Sequence, residues 1–227
     1  MKLTTLKALN TARAAKRAVA LVTDLESGEE RLLAWGEEKG SELAGHIDAA
    51  FASDRSATVE VGGRAVFINV FNTPLRLIVV GAVHIAEPLA RYAAVVGYDV
   101  TIVDPRRAFT EAERFPGVTM LADWPDDALA ILAPDHRTAV VTLTHDPKID
   151  DPALHFALKA PVFYIGCLGS TRTHAKRVDR LTAEGFSAQE IARIHGPVGL
   201  DIGARTPQEI ALSIMAEVVA AHHGKLP

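Results

Sequence analysis

One stretch of the chain decides its fold: residues 75–86, which read LRLIVVGAVHIA. Up to Val80 the stretch is almost wholly apolar, as in a strand that is buried on both faces of a parallel sheet. Gly81 follows directly, and a helical pattern then runs from Ala86 to a stop at Gly97. A buried strand that leads through a glycine turn into a helix is the first unit of a Rossmann-like α/β fold.

Strands and helices continue to alternate beyond this unit. Apolar segments predict further strands at residues 99–103, 118–121, 139–143 and 162–165. Helical patterns lie at residues 126–132, 152–159, 171–184, 187–194 and 206–222. This alternation predicts a doubly wound, mostly parallel sheet with right-handed crossovers.

The sequence before Pro74 has a different character. Short alternating segments predict strands at residues 18–23, 31–35, 57–61 and 65–71, with a helix at 41–51. Five basic residues precede the first acid, Asp24, and favour a basic N-terminal helix or arm over a transit peptide. We therefore expect a small α+β domain at residues 1–73 and a Rossmann-like domain at residues 74–227.

Composition excludes several classes of protein. A net charge of −4 and a pI near 6.1 argue against a nucleic-acid-binding protein, because phosphate contacts need a basic face. No apolar run approaches the roughly 18 residues that a membrane span needs. The single cysteine, Cys167, excludes an internal disulfide and a cysteine-rich metal site. An unpaired thiol is typical of a reducing compartment, so we expect the protein in the cytoplasm.

The first candidate site is the turn after the first buried strand. In a dinucleotide-binding turn, Gly81 would allow the tight bend and a second glycine would let the backbone approach a pyrophosphate. This chain has Ala82 and then Val83, whose branched side chain would crowd a pyrophosphate. The free N–H groups of the helix N-terminus still favour an anion. His84 lies at the start of the helix, where it either caps the helix or contacts a ligand.

The second candidate site is Asp104, which ends the next strand 23 residues after Gly81. An acidic residue at about this distance usually binds the ribose hydroxyls of a nucleotide. Arg106 and Arg107 follow and could bind a phosphate instead. The alternative is an Asp-Pro turn with two solvated arginines.

The third candidate site is the segment THDPKIDDP, residues 144–152, after the strand predicted at 139–143. It lies where open α/β sheets bind ligands, at the carboxyl end of a strand. Asp151 followed by Pro152 is typical of a helix N-cap and first helical residue. The remaining polar side chains can contact a ligand or move protons, and they are the site candidates: His145, Asp146, Lys148 and Asp150. One histidine is too few to predict a metal site.

The fourth candidate site is the segment YIGCLGS, residues 164–170, which runs from a strand into a basic helix. Its glycines, hydroxyl and helix N-terminus would form an anion cradle. Basic side chains near the positive end of a helix dipole are unfavourable unless an anion accompanies them. A glycine-rich turn with a solvated basic helix explains the segment as well. The candidates for anion contact are Gly166, Gly169, Ser170, Arg172 and His174, with further charge from Lys176 and Arg177.

Cys167 and a glycine-rich loop are two further features that have either a structural or a functional interpretation. Cys167 is either a small apolar filler or a thiol whose pKa is lowered by the helix N-terminus, as sulfur transfer would need. The glycine-rich loop at residues 195–205 permits close approach of a ligand, with Asp201 as the polar group on offer.

Taken together, these motifs resemble those of the XdhC/CoxI family, the accessory proteins of xanthine dehydrogenase. The resemblance covers residues 75–227 in one collinear order. It is carried by residues 79–86, 101–106, 113–116 (Glu113 to Pro116), 143–154, 164–176 and 193–210.

The resemblance implies a chaperone that binds molybdenum cofactor (molybdopterin) rather than a catalyst, and we assign no catalytic residue. It implies that a cysteine desulfurase supplies the sulfido ligand. The loaded cofactor is then inserted into apo xanthine dehydrogenase or a related molybdenum hydroxylase. We expect a homodimer, with the cofactor in one anion-receptive cleft between the loops at Gly81, His145 and Gly166.

The alternative is an NAD(P)-dependent oxidoreductase of Rossmann type. Asp104 and the strand–helix–strand pattern favour this alternative, whereas Val83 and the lack of a recognisable hydride-transfer set oppose it. A nucleotide-dependent scaffold without a cofactor is a third interpretation.

Overall fold

The computed structural model describes residues 1–37, 40–106 and 114–226. Arg107 and Glu113, which belong to two of the motifs above, lie outside the described residues. The chain divides into two compact units, Met1–Thr73 and Pro74–Pro227. The predicted fold class is confirmed, because one unit is built on a parallel sheet with helices and the other on a small antiparallel sheet.

Among its described residues, the first unit combines two helices with four antiparallel strands in the order β2-β1-β4-β3. Its elements are α1 (Leu3–Ala14), β1 (Val19–Asp24), β2 (Glu30–Ala34), α2 (Glu42–Ser53), β3 (Ala57–Val61) and β4 (Arg64–Phe71). The basic N-terminal segment forms α1, and Ile47 and Phe51 of α2 pack on Ile68 of β4 in the core.

The second unit contains six strands and six helices among its described residues. Its first half consists of β5 (Arg76–Val80), α3 (Ala86–Val96), β6 (Asp99–Val103), β7 (Thr119–Leu121), α4 (Pro125–Leu132) and β8 (Thr138–Thr142). Its second half consists of α5 (Pro147–Lys159), β9 (Tyr164–Cys167), α6 (Thr171–Ala183), α7 (Ala188–Ile191), β10 (Ile194–His195) and α8 (Pro207–His222).

All six strands are parallel and lie in the order β10-β9-β8-β5-β6-β7. This arrangement resembles the doubly wound sheet of the Rossmann fold, in which successive strands are added on either side of a central pair. The chain runs from β5 outward through β6 and β7, and then returns to β8 on the other side of β5. The strand order therefore reverses between β5 and β8, which creates a crevice outside their carboxyl ends. In open α/β sheets, ligands bind at such a switch point.

Strand β5 is buried on both faces, as its apolar sequence predicts. Leu77 and Val79 belong to the core beneath α3 and α8, whereas Ile78 and Val80 belong to the core beneath α4 and α5. Because alternate side chains of a strand point to opposite faces, one apolar run supplies both cores.

Two predicted helix bounds are wrong. Helix α5 begins at Pro147 rather than Pro152, because Asp146 and not Asp151 is its N-cap; the Asp146 side chain accepts a hydrogen bond from Lys148 N at 3.0 Å. The helix predicted at 187–194 ends at Ile191, since Ile194 and His195 pair with β9 as the short strand β10. In the described ranges, none of the helices combines the length and apolar character that crossing a bilayer requires.

Candidate functional site

The predicted loop at Asp104 follows β6, next to β5, and three further predicted loops lie side by side at the same carboxyl edge of the sheet. They follow β5, β8 and β9, which are direct neighbours with Val80 opposite Thr142 and Thr142 opposite Cys167. The backbone bonds continue just past the strand ends, since Leu143 N donates to Val80 O and Leu168 N donates to Thr142 O, each at 2.9 Å. The loops at Gly81, His145 and Gly166 therefore begin at one edge.

The turn at Gly81 is shaped by the neighbouring loop. Its φ is +112°, and a Cβ atom there would lie 2.6 Å from Thr144 Cγ2. Val83 is half-buried and packs on the core. His84 is exposed, and Ile85 rather than His84 occupies the N-cap position of α3, so the interpretation of His84 as a cap is wrong.

Asp104 supports the Gly81 turn from the end of β6. Its buried carboxylate accepts hydrogen bonds from Ala82 N at 2.8 Å and from Arg106 N, Nε and Nη2 at 3.0, 2.9 and 2.7 Å. Burial alone would raise the pKa of Asp104, but the bonds from Arg106 and Ala82 outweigh it and lower that pKa. Each carboxylate oxygen already has two donors, so a ribose would have to displace one.

Asp150 organises the His145 loop from within. Its buried carboxylate accepts hydrogen bonds from Thr144 Oγ1 at 2.7 Å, Thr144 N at 3.3 Å and His145 N at 3.1 Å. Burial raises the pKa of Asp150, although these bonds and the charge of Arg177 act in the opposite direction. His145, Asp146 and Lys148 are exposed around this buried anchor.

The Gly166 loop packs tightly before it enters α6. A Cβ atom at Gly166 would lie 2.5 Å from Val198 Cγ2, so a glycine is needed there for packing. Ser170 caps α6 by accepting a hydrogen bond from Thr173 N at 3.2 Å. Gly169 is half-buried beside Thr173, where a Cβ atom would approach to 3.0 Å.

Cys167 is the last residue of β9 and is fully buried, as expected of a small apolar side chain that fills space in the core. Burial raises its pKa to about 11, despite the nearby charge of Arg177. The alternative of a thiol with a lowered pKa is therefore wrong, because the side chain is buried among apolar residues of the core.

A cavity of about 250 Å³ lies between the His145 loop and α6; we call it the basic cavity. Of the predicted site residues, it brings together His145, Asp150 and Arg172. The remainder of its lining is Pro147, Thr173, Lys176, Arg177 and Arg180. Basic residues at positions 172, 176 and 180 recur every four residues, so their common helix face was readable from the sequence.

Other predicted residues lie elsewhere. His84 lines a separate cavity of about 300 Å³ with Glu87, Arg91 and Gln208. Asp201 is exposed in the loop before α8 and lines neither cavity.

Helix α8 also contains a buried carboxylate, Glu217, that the sequence pattern did not predict. It accepts hydrogen bonds from Tyr164 OH and Gly199 N, and His195 Nδ1 lies 3.4 Å from its Oε1. Burial tends to raise the pKa of Glu217, but these contacts with His195, Tyr164 and Gly199 lower it overall. Glu217 is the one acid in the otherwise apolar stretch at residues 214–221, and this was the signal for the contact.

Known proteins are similar in sequence to this chain. Residues 77–218 match the family model of the XdhC Rossmann domain. PaoD, a molybdenum cofactor insertion chaperone of Escherichia coli (strain K12), is 36% identical over 150 residues, which are 66% of this chain and 41% of PaoD. A protein of Bacillus subtilis (strain 168) that is named as a probable component of xanthine dehydrogenase is 34% identical over 154 residues, which are 67% of this chain and 44% of that protein.

The similarity extends to a solved structure. A crystal structure described as a xanthine dehydrogenase from Bacillus halodurans matches with a TM-score of 0.68 and 25% identity, over 98% of this chain and 65% of that one. The chain spans less than half of the length of the curated relatives that it matches. Because the family model covers most of the second unit, the chain belongs to the XdhC family and contains its Rossmann domain.

Proposed function

We propose that this protein binds molybdenum cofactor at the carboxyl edge of its parallel sheet and delivers it to xanthine dehydrogenase or a related molybdenum hydroxylase. One observation carries the proposal: the loops at Gly81, His145 and Gly166 begin side by side at the switch point, and the basic cavity lies between the His145 loop and α6. The name of PaoD, a molybdenum cofactor insertion chaperone, supports the same function.

The charge of the site suits an anionic cofactor. The basic cavity offers four cationic side chains, and Arg177 among them is buried with its Nε atom unpartnered within the described residues. The bound cofactor would supply the molybdenum centre that the acceptor enzyme uses. The protein's part is to hold the anionic group, to orient the pterin along the edge of the sheet and to shield it until transfer.

In this proposal, sulfur comes from a partner cysteine desulfurase and not from this chain. Cys167 lies within the sheet with a raised pKa, so it is neither accessible nor ionised at neutral pH. The protein would present the cofactor to the desulfurase and then to the acceptor enzyme, as a cytoplasmic homodimer.

The direct test is binding of molybdenum cofactor to the purified full chain in equilibrium gel filtration. We expect cofactor to elute with the protein and to restore activity when apo xanthine dehydrogenase is added. The variant His145→Asn keeps a residue that tolerates the positive φ of +61° and should weaken binding several-fold. The matched control His46→Asn replaces an exposed histidine of the first unit and should leave binding unchanged. Elution of all cofactor apart from the protein would refute the proposal.

An NAD(P)-dependent oxidoreductase is the second candidate, favoured by the Rossmann-like sheet. Val83 and the fully engaged Asp104 carboxylate oppose it. Titration with NADH and NADPH by fluorescence separates the two functions. We expect no saturable binding in the micromolar range, and saturation there would favour the oxidoreductase.

A further inference from the structure

The basic cavity contains more positive charge than its carboxylates balance. Four of its lining residues are basic, namely Arg172, Lys176, Arg177 and Arg180. Arg180 forms a bidentate ion pair with Asp151, through Nε at 2.7 Å and Nη2 at 2.9 Å. Within the described ranges, Arg172 and Lys176 form no ion pair.

The placement of these charges is unfavourable without a counter-ion. Arg172 and Lys176 lie in the first two turns of α6, where the helix dipole presents its positive end. Residues four apart on a helix are neighbours, so the series at 172, 176 and 180 also repels itself. An anion in the cavity would turn both effects into attraction.

Arg177 supplies an independent observation. Only 2% of this residue is exposed, and its Nε has no hydrogen-bond partner among the described residues. Its Nη2 donates to Leu168 O at 3.1 Å, and its Nη1 lies 3.5 Å from His174 Nδ1. A buried guanidinium is unfavourable unless an anion accompanies it.

The acid that lines the cavity does not provide that anion by direct contact. Asp150 also lines the cavity, but both of its oxygens accept hydrogen bonds from Thr144 and His145. Its charge acts on Arg177 only through space. The buried arginine and the two surface cations therefore lack a shared counter-ion.

We propose that the basic cavity is a binding site for a phosphate group in its dianionic form, contacted by Arg172 and Lys176 and stabilised by the buried charge of Arg177. Arg180, held by Asp151, forms the far wall and positions α6 against α5. The identification of this group as the phosphate of molybdenum cofactor rests on the proposed function, whereas the affinity for phosphate does not.

Inorganic phosphate and methyl phosphate are the probes, titrated into the full chain by calorimetry at low ionic strength with chloride as reference. We expect saturable binding of both probes and none of chloride. The variant Lys176→Met should weaken binding at least tenfold. Its matched control, Arg205→Met, removes one exposed cation outside the cavity and should change binding less than twofold. Both positions are exposed, so neither variant should perturb folding.

Absence of phosphate binding, or equal binding by Lys176→Met and Arg205→Met, would overturn this site. Binding of molybdenum cofactor is measured on the same proteins. Cofactor binding that is unaffected by Lys176→Met would overturn the identification of this group as the phosphate of the cofactor while leaving the proposed function intact. Phosphate binding without cofactor binding would support the phosphate site and refute the proposed function.

Discussion

Asp104 Oδ2 accepts a hydrogen bond from Ala82 N at 2.8 Å, which ties the end of β6 to the turn after β5. The same carboxylate accepts three further bonds from Arg106. Asp104 occupies a position that is typical of ribose recognition, but here its carboxylate supports the turn at the switch point. This support fixes where the backbone of Gly81 and Ala82 lies relative to the neighbouring loop.

Replacement of Asp104 by asparagine should lower the free energy of unfolding by about 1–3 kcal/mol at pH 7, because Arg106 and Ala82 lose a charged acceptor. The folded-state pKa of Asp104 is lowered, so its contribution is present above the ordinary value of 3.8 and is lost as the pH falls through the folded pKa. The difference between wild type and variant should therefore shrink in acid. Urea unfolding of both proteins from pH 7 to pH 3 measures this difference in the free energy of unfolding.

Asp99→Asn is the matched control for this prediction, since Asp99 is exposed at the start of the same strand. We expect it to change stability by less than about 0.5 kcal/mol. A difference for Asp104→Asn that stays constant down to pH 3 would show that its charge is not the cause.

Gly81→Ala should destabilise the fold more than Gly97→Ala. Both positions have positive φ, +112° and +92°, but a Cβ atom at Gly97 meets nothing within 4 Å. At Gly81 it would lie 2.6 Å from Thr144 Cγ2, and Thr144 cannot rotate freely because its Oγ1 donates to Asp150 at 2.7 Å. Backbone strain should lower the free energy of unfolding of Gly97→Ala by about 1–2 kcal/mol, and that of Gly81→Ala should fall further. Chemical denaturation measures both.

A second substitution separates the steric clash from the backbone strain at Gly81. Thr144→Ser removes Cγ2 but keeps the hydroxyl that donates to Asp150. In the Gly81→Ala background it should restore part of the lost stability, although alone it removes apolar contacts. If the double variant is no more stable than Gly81→Ala, the two loops are not in the contact described.

Native Cys167 should react very slowly with iodoacetamide. The side chain is fully buried, and its pKa of about 11 leaves about one thiol in a thousand ionised at pH 8. Mass spectrometry should find the cysteine unmodified in the native protein and modified quickly in urea. Cys167→Ala should retain cofactor binding. Equal labelling rates with and without urea would restore a sulfur-transfer role for this thiol.

The sequence correctly predicted the helices and strands that depend on a local pattern. It did not predict the elements whose conformation depends on contacts with residues far along the chain. The apolar run before Gly81 and the helical spacing after it indicated β5 and α3, because the pattern of apolar residues within a short segment reflects both burial and periodicity. Strand β10 was missed because two residues become a strand only by pairing with β9. The burial of Arg177 likewise depends on packing from distant parts of the chain, although the basic spacing along α6 was visible.

The start of α5 shows this limit most clearly. Asp146-Pro147 and Asp151-Pro152 are the same dipeptide, and each is a good signal for a helix N-terminus. Local rules cannot choose between them. Arg180, which is 29 residues away, takes up the carboxylate of Asp151, and Asp146 is left to cap the helix.

The two aspartates should therefore respond differently to the same substitution. Asp146→Asn should change stability by less than about 0.5 kcal/mol, because asparagine caps a helix about as well as aspartate. Asp151→Asn should lower stability by about 1–2 kcal/mol, since the bidentate partner of Arg180 loses its charge; the 36% exposure of the Arg180 side chain keeps the loss below that of a fully buried pair. Thermal and urea unfolding of the two variants at pH 7 measure the contrast. If Asp146→Asn proved the more damaging, Asp151 would not be the residue that holds α6 against α5.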